Sequence, residues 1–270
     1  GIPAHRVMRL WTNTVIVAPG GRAGGGQTDS LSNAIAIANS RATGANPQTI
    51  FLLPGAYGGP LPSAPAANVH IVGLDRDACI ITAPLTVTAD THLENLTFAP
   101  SAGNNGVTVG GGWPYINNCI FRDGQYGIMV TIGARADIHN IVAVGGSGAA
   151  VWDEGGARID GLRVTNRPAF VIDTTQKANY KNISHWSTSG KAGVVQVAGG
   201  GVVRSLVSNC RLDVSSCARL RLRDIDIDAP ATVALQVGQV GTSLEIYDSY
   251  LASDNTAPVT INYDGDGIVR

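Results

Sequence analysis

The sequence predicts an all-β protein: a right-handed parallel β-helix of about ten coils, each of about 22 residues, with a short N-terminal capping helix. Three observations predict it. The first is a repeat. Leu93, Ile116, Ile138, Ile159, Tyr180, Val203, Leu222 and Ile246 follow one another at steps of 23, 22, 21, 21, 23, 19 and 24 residues. The second is the order of residues after each of them. A mostly polar position comes next (Glu94, Asn117, His139, Asp160, Lys181, Arg204, Arg223, Tyr247), then a small turn former (Asn95, Asn118, Asn140, Gly161, Asn182, Ser205, Asp224, Asp248). An apolar residue then returns in seven of eight copies, Ser249 being the exception. Inward apolar, outward polar, corner, inward apolar describes two short strands joined at a bend, and Asn, Asp and Gly tolerate the left-handed backbone such a bend needs. The third is a run of β-branched residues about a dozen positions later in most copies, as a third strand would be. It is seen at residues 105–109, 126–130, 149–152, 170–172, 193–197, 232–237 and 258–261, and is weakest around Leu212.

The period is too short for a helix–turn–helix repeat and lacks the leucine-rich pattern. Stacked coils would lie about 4.8 Å apart, the spacing of neighbouring strands. Stacked asparagine corners could then bond to one another along the axis. An antiparallel sandwich with regular turns is the competing architecture.

Residues 1–14 form an approach segment, and residues 15–270 read as one β-helix domain. Residues 14–18 are the first strand. The Gly-rich run at 19–26 lacks the Gly-Lys-Ser/Thr that closes a phosphate loop, so it reads as a plain loop. Thr28 or Asp29 can cap a helix over residues 30–40, whose apolar positions Leu31, Ala34, Ile35 and Ala38 share one face. Such a helix would cover the open end of the solenoid. After a strand at 49–53, four prolines mark residues 54–68 as a loop leaving the stack, placed to wall a groove. Coils resume at Val69. Residues 261–270 show no capping helix.

Charged residues make up 14% of the chain, glycines number 34 and the net charge is −1. Nothing in that balance points to nucleic acid or to membrane insertion. Cys79, Cys119, Cys210 and Cys217 have no metal-ligand spacing, and Cys119 falls in an inward column. No metal or other cofactor is expected. The chain opens on Gly1 without a secretory signal, so a mature fragment or trimmed chain is expected. The sequons at Asn95 and Asn182 fall in the corner column and should be structural.

The order of Val15-Ile-Val-Ala-Pro-Gly-Gly, the helix, Ile50-Phe-Leu-Leu-Pro-Gly-Ala-Tyr, Val69-His-Ile-Val-Gly-Leu and Cys79-Ile-Ile-Thr resembles the start of pectin methylesterase-like members of the pectin-lyase-like β-helix superfamily. The resemblance covers about the first hundred residues by motif and the rest by repeat pattern. That front end is shared with phage tail spikes and surface-polysaccharide proteins, so it implies a fold more than a reaction. The catalytic Gln-Asp-Thr, Asp-Phe-Ile-Phe-Gly and Gly-Arg-Pro-Trp segments of methylesterases are absent. It also implies an extracellular or virion-surface location and a possible homotrimer.

Two kinds of site are candidates. Asp153, Glu154 and Asp173 could form a catalytic carboxylate group, because Asp153 and Asp173 are 20 residues apart and would end corresponding strands on neighbouring coils. Two carboxylates about 5 Å apart suit glycoside hydrolysis and split into an acid and a base. Trp152 could stack on a sugar, or lie in the core. The other candidate is a carbohydrate-binding surface of Trp113, Tyr115, Tyr126, Trp152 and Trp186, with Tyr247 also outward. Arg219, Arg221 and Arg223 alternate onto one strand face, and Asp224, Asp226 and Asp228 onto alternate positions of the same strand; both read as solvated faces. The five histidines show no nucleophile–base spacing. The leading expectation is a carbohydrate-recognising β-helix of the tail-spike or surface-adhesin kind, partnered by a polysaccharide or cell-surface glycan. The alternatives are a polysaccharide hydrolase, lyase or esterase, and a structural module of a larger particle.

Overall fold

The computed structural model describes residues 13–19, 27–28, 30–173, 178–188, 195–197, 201–214, 219–229, 234–237, 243–253 and 259–261. These wind into a parallel β-helix with three walls. Wall one begins with Thr14–Val17, Gln48–Leu52, Val69–Gly73, His92–Glu94 and Tyr115–Asn117. Wall two holds Gly55–Tyr57, Cys79–Ile81, Thr97–Phe98 and Ile120–Arg122. From Ala136–Val144 to Arg219–Ala229 one long strand per coil bends through both walls, and the last described coil again has two, Ser243–Tyr247 and Tyr250–Ser253. Wall three is a nine-stranded sheet running from Leu85–Val87 to Val259–Ile261. Every named pairing between strands is parallel, and the repeat column stays in register: Leu93 opposite Ile116, Ile116 opposite Ile138, Ile138 opposite Ile159.

The bend between walls one and two has a single cause. Asn95, Asn118, Asn140, Gly161, Asn182, Ser205, Asp224 and Asp248 all have φ between 48° and 86°. One left-handed residue per coil turns the chain and shifts its inward–outward alternation by one position, so that Ile138 and Ile141 both face the core with His139 and Asn140 outward between them. The corner amides also bond along the axis. Asn118 Nδ2 donates to Asn95 Oδ1 at 2.7 Å, Asn182 Nδ2 to Asp160 Oδ1 at 2.7 Å, and Arg76 Nη1 to Asn118 Oδ1 at 3.0 Å. The ladder is not uniform, since Asn140 Nδ2 reaches across to Asn117 Oδ1 at 3.0 Å. The two sequon asparagines are thus spent on the corner. Asn118→Ala should destabilise the protein by about 1–2 kcal/mol from the left-handed backbone alone, with a smaller loss for Asn118→Gly. Urea midpoints check this; equal losses would mean the amide matters more than the backbone.

The nine strands of wall three are joined by eight pairings, so slightly fewer than the expected ten full coils are stacked. Among the described residues, the first two turns of wall one have no wall-three strand. The helix, α1 (Leu31–Arg41), occupies the first of these turns and the proline-rich loop the second. Ser30 caps α1, its hydroxyl accepting from Asn33 N, while Thr28 Oγ1 accepts from Ser30 N. The cap is therefore one residue later than the sequence suggests; Asp29 lies outside the described residues. Leu31, Ala34, Ile35 and Ala38 are all buried against the stack. The proline loop leaves the stack only after Tyr57, since Gly55–Tyr57 pairs with Cys79–Ile81. It is latched to α1: Asn39 Nδ2 donates to Ala64 O and Asn39 Oδ1 accepts from Ala66 N.

Inward columns fill the interior. Phe98 and Phe121, on successive coils, stack with centroids 5.0 Å apart. Cys119 is wholly buried in its inward column, and burial pushes its thiol up to about 12, so it is no nucleophile. Cys79, Cys119 and Cys210 are free thiols; Cys217, residues 20–26 and the C-terminal residues 262–270 lie outside the described residues. The coil at Leu212–Val214, weakest in sequence, pairs in register on both sides.

Candidate functional site

The alternation that sends Ile71, Leu93 and Ile116 inward sends their predecessors outward on wall one. His70 lies opposite His92, and His92 opposite Tyr115. Two positions along, Glu94, Asn117 and His139 form a second outward column. The rings touch in series. His70 and His92 meet edge to face at 5.9 Å, His92 and Tyr115 at 4.9 Å, and Tyr115 and His139 lie 5.0 Å apart. His92 Nε2 is 3.4 Å from Glu94 Oε2, an ion-pair distance without hydrogen-bond geometry. Glu94 Oε1 accepts from Asn117 Nδ2 at 3.1 Å. Burial, and then the neighbouring His92, lower the pKa of His70. Row and carboxylate together make a ridge of aromatic faces edged by amide and carboxylate groups.

Trp113 extends this ridge at the turn entering wall one. Its backbone N–H donates to Asp90 Oδ1 at 2.7 Å. Gly112 before it has φ +66°, and a Cβ there would come 2.5 Å from the Ala89 backbone, so this approach requires glycine. The guanidiniums of Arg135 and Arg158 lie 5.3 and 4.8 Å from the Trp113 ring centroid. Such cation–π contacts fix the ring while leaving it 36% exposed; Tyr115 is 38% exposed.

The other candidate residues do not join this ridge. Tyr126 and Trp152 pack on each other at 5.0 Å beside wall three, with Trp152 outward and half-buried, its Nε1 donating to Glu154 Oε1 at 3.1 Å. Trp186 stands exposed on wall two. The five candidate aromatics are thus divided among three walls.

The carboxylate group is not assembled. Val151, Trp152 and Asp153 alternate in, out, in, which sends Asp153 into the core with no exposed surface. Its Oδ1 accepts from Gly155 N at 3.0 Å and Gly156 N at 2.7 Å. Its Oδ2 accepts from Ala157 N at 2.8 Å and the Tyr180 hydroxyl at 2.9 Å. Asp173 lies opposite no strand residue of that pair, since Ile172 pairs with Asp153, and it is exposed. One carboxylate faces the core and the other water. Asp153 holds a turn in shape.

The basic strand also divides. The corner at Asp224 puts Arg221 and Arg223 on wall one and Asp226 and Asp228 on wall two, so the three carboxylates do not share one face; the Arg219 side chain lies outside the described residues. Among the described residues no group of three or more His, Cys, Asp or Glu could hold a metal ion. His70, His92, Glu94, His139, Arg135 and Arg158 were not among the residues singled out. The signal was present: His70, His92 and Tyr115 are spaced by 22 and 23 residues, one coil each.

No protein-family model and no curated protein sequence matches the chain. Among solved structures the fold is shared with ORF18 of Geobacillus virus E2, at TM-score 0.57 and 12% identity over 98% of this chain. The chain spans 62% of that protein's length. The catalytic unit of a GH87 α-1,3-glucanase from Streptomyces thermodiastaticus matches at TM-score 0.35 and 13% identity, over 100% of this chain and 69% of that one, too loosely to carry an argument.

Proposed function

We propose that the chain is a carbohydrate-recognising β-helix of the tail-spike or surface-adhesin kind, within the pectin-lyase-like group, and that wall one is its glycan face. A virion surface or the extracellular space is where such a domain works. The observation that carries this reading is the ridge of His70, His92, Tyr115, His139 and Trp113. Half-exposed rings held by neighbours lose little entropy on binding a sugar, and Glu94 and Asn117 offer hydroxyl partners beside them. The ridge follows the solenoid axis, which suits a polymer.

Glycan-array binding followed by titration tests this. The protein should bind at least one polysaccharide without releasing reducing ends or unsaturated sugar. Trp113→Ala and Tyr115→Ala should each weaken binding about tenfold, equivalent to about 1.4 kcal/mol. Binding that ignores both substitutions, or no binding on any glycan, sinks the proposal. Cleavage is the second reading, favoured by the His92–Glu94 pair; product release that disappears in Glu94→Gln would put it first.

A further inference from the structure

Wall one changes character along its length. Beyond Asp160 its second outward column carries Lys181, Arg204 and Arg223 on three successive coils, each directly opposite the next. Neighbouring strands are about 4.8 Å apart, and like charges directly opposite one another are unfavourable. Three of the four cations on this surface have counter-charges. Lys181 Nζ is 2.8 Å from Asp160 Oδ2. Arg221 Nε is 2.6 Å from Glu245 Oε2, which the Tyr247 hydroxyl also approaches at 3.3 Å. Arg223 Nε lies 3.9 Å from Asp224 and 3.8 Å from Asp248. Arg204, in the middle of the stack, has no carboxylate at ion-pair distance among the described residues. It lines an open cavity of 420 Å³ together with Arg221, Arg223, Glu245, Tyr247 and Asp248. Among the described guanidiniums of this lining, Arg221 is met by Glu245 and Arg223 by Asp224 and Asp248, which leaves Arg204 as the one without a counter-charge in contact.

We propose that this cavity is a subsite for a singly charged oxyanion substituent (a carboxylate, sulfate ester or phosphodiester) on the glycan that wall one binds. The inference rests on the glycan reading of that wall. Arg204 supplies the uncompensated charge, and its planar fork matches two oxygens of such a group. Glu245 fixes Arg221 beside it, so the cavity is pre-organised. Tyr247, at its edge, presents a ring face to the adjoining sugar. Tyr115 and Val202 share one outward column four coils apart, about 19 Å along the axis. An extended oligosaccharide can reach from the aromatic ridge to the cavity. A neutral glycan gains nothing from Arg204, which stays hydrated.

The test is titration of the protein with a polyuronate, a sulfated glycan, a phosphodiester-linked glycan and a neutral glucan, at low and high salt. The variants are Arg204→Gln and Tyr115→Ala. At least one anionic glycan should bind at least tenfold more tightly than the neutral one. That advantage should shrink with salt and vanish in Arg204→Gln, whose melting temperature should not fall below the wild-type value, because the side chain is exposed and the substitution relieves its opposition to Lys181 and Arg223. The arm that binds identifies the substituent. Anionic glycans binding no better than neutral ones, or an advantage that survives Arg204→Gln, overturns the subsite. Neutral binding that depends on Tyr115 without any anion preference overturns the subsite and leaves the glycan ridge standing. Anion binding that needs Arg204 and ignores Tyr115 keeps the subsite and removes the ridge. No binding in any arm removes both.

Discussion

Arg167→Met should lower the unfolding free energy by about 3–5 kcal/mol, although it keeps the bulk of the side chain. Arg167 is the largest wholly buried residue described. Its Nε donates to Gly148 O at 3.0 Å, Nη1 to Asp123 O at 3.3 Å, and Nη2 to Gln125 O and Ala149 O, both at 2.8 Å. These carbonyls belong to the turns between walls two and three of the two preceding coils, where the chain leaves its ladder. One guanidinium thus closes the polar gap of three layers. Burial lowers its pKa to about 10, against the pull of Asp123, so the charge persists at neutral pH. Gly146 makes the room: it has φ +98°, and a Cβ there would lie 2.8 Å from Arg167 Nη1. Methionine would leave the Asp123 and Gly148 carbonyls without donors, each costing about 1–3 kcal/mol less whatever water recovers, while the Gln125 and Ala149 carbonyls keep one donor each, from Gly148 N and Gly127 N. Urea unfolding followed by circular dichroism measures the loss, and Arg167→Lys should restore part of it. A loss under about 1 kcal/mol would mean that water replaces the guanidinium freely.

Asp153→Ala should cost a similar amount, about 3–5 kcal/mol, for the inverse reason: it strands three backbone N–H groups and the Tyr180 hydroxyl. Asp153→Asn should recover some of this, because one oxygen still accepts from Gly155 and Gly156 while the amide nitrogen meets the Ala157 N–H. Chemical denaturation of both variants checks the order. The pH dependence has a definite sign. Burial, outweighing the bonds from Ala157, Tyr180, Gly156 and Gly155, holds the Asp153 carboxyl above the ordinary carboxylate range. The folded state therefore keeps this proton at pH values where the unfolded chain, with a pKa of about 3.9, has lost it. Wild-type stability measured relative to Asp153→Asn should fall as pH rises from about 3.9 through the folded pKa. A difference that grows with pH over that window would show the four donors prevailing over burial. If Asp153→Ala unfolds no more easily than wild type, the turn does not depend on the carboxylate.

These two residues also mark where sequence reading stops. The corner column was legible because its backbone requirement selects a few residue types, and eight of eight positions have positive φ. The buried face of α1 was legible because it has a period. Asp153 was misread although the information was there: Val151 and Asp153 share parity, so an inward valine implies an inward aspartate, and two glycines follow to supply N–H groups. Arg167 was not legible. In Thr165-Asn-Arg-Pro it looks like a loop residue, and its burial depends on turns 18 to 44 residues earlier. The wall-one ridge lay between. Outward columns carry no compositional mark, and only the one-coil spacing of His70, His92 and Tyr115 reveals them. The acidic triplet was misplaced because its first member is itself a corner.

The single-residue corner between walls one and two restricts how such a chain can diverge. An insertion beside Asn140 would rotate every following side chain between core and solvent until the next turn, so that edge resists indels. The spread of coil lengths, from 19 to 24 residues, must be taken up at the other two edges. The edge at Trp113 is one of these. Lineages can lengthen or exchange the rim of wall one there while its floor keeps a fixed pitch, so new ligand preferences can arise without disturbing the stack.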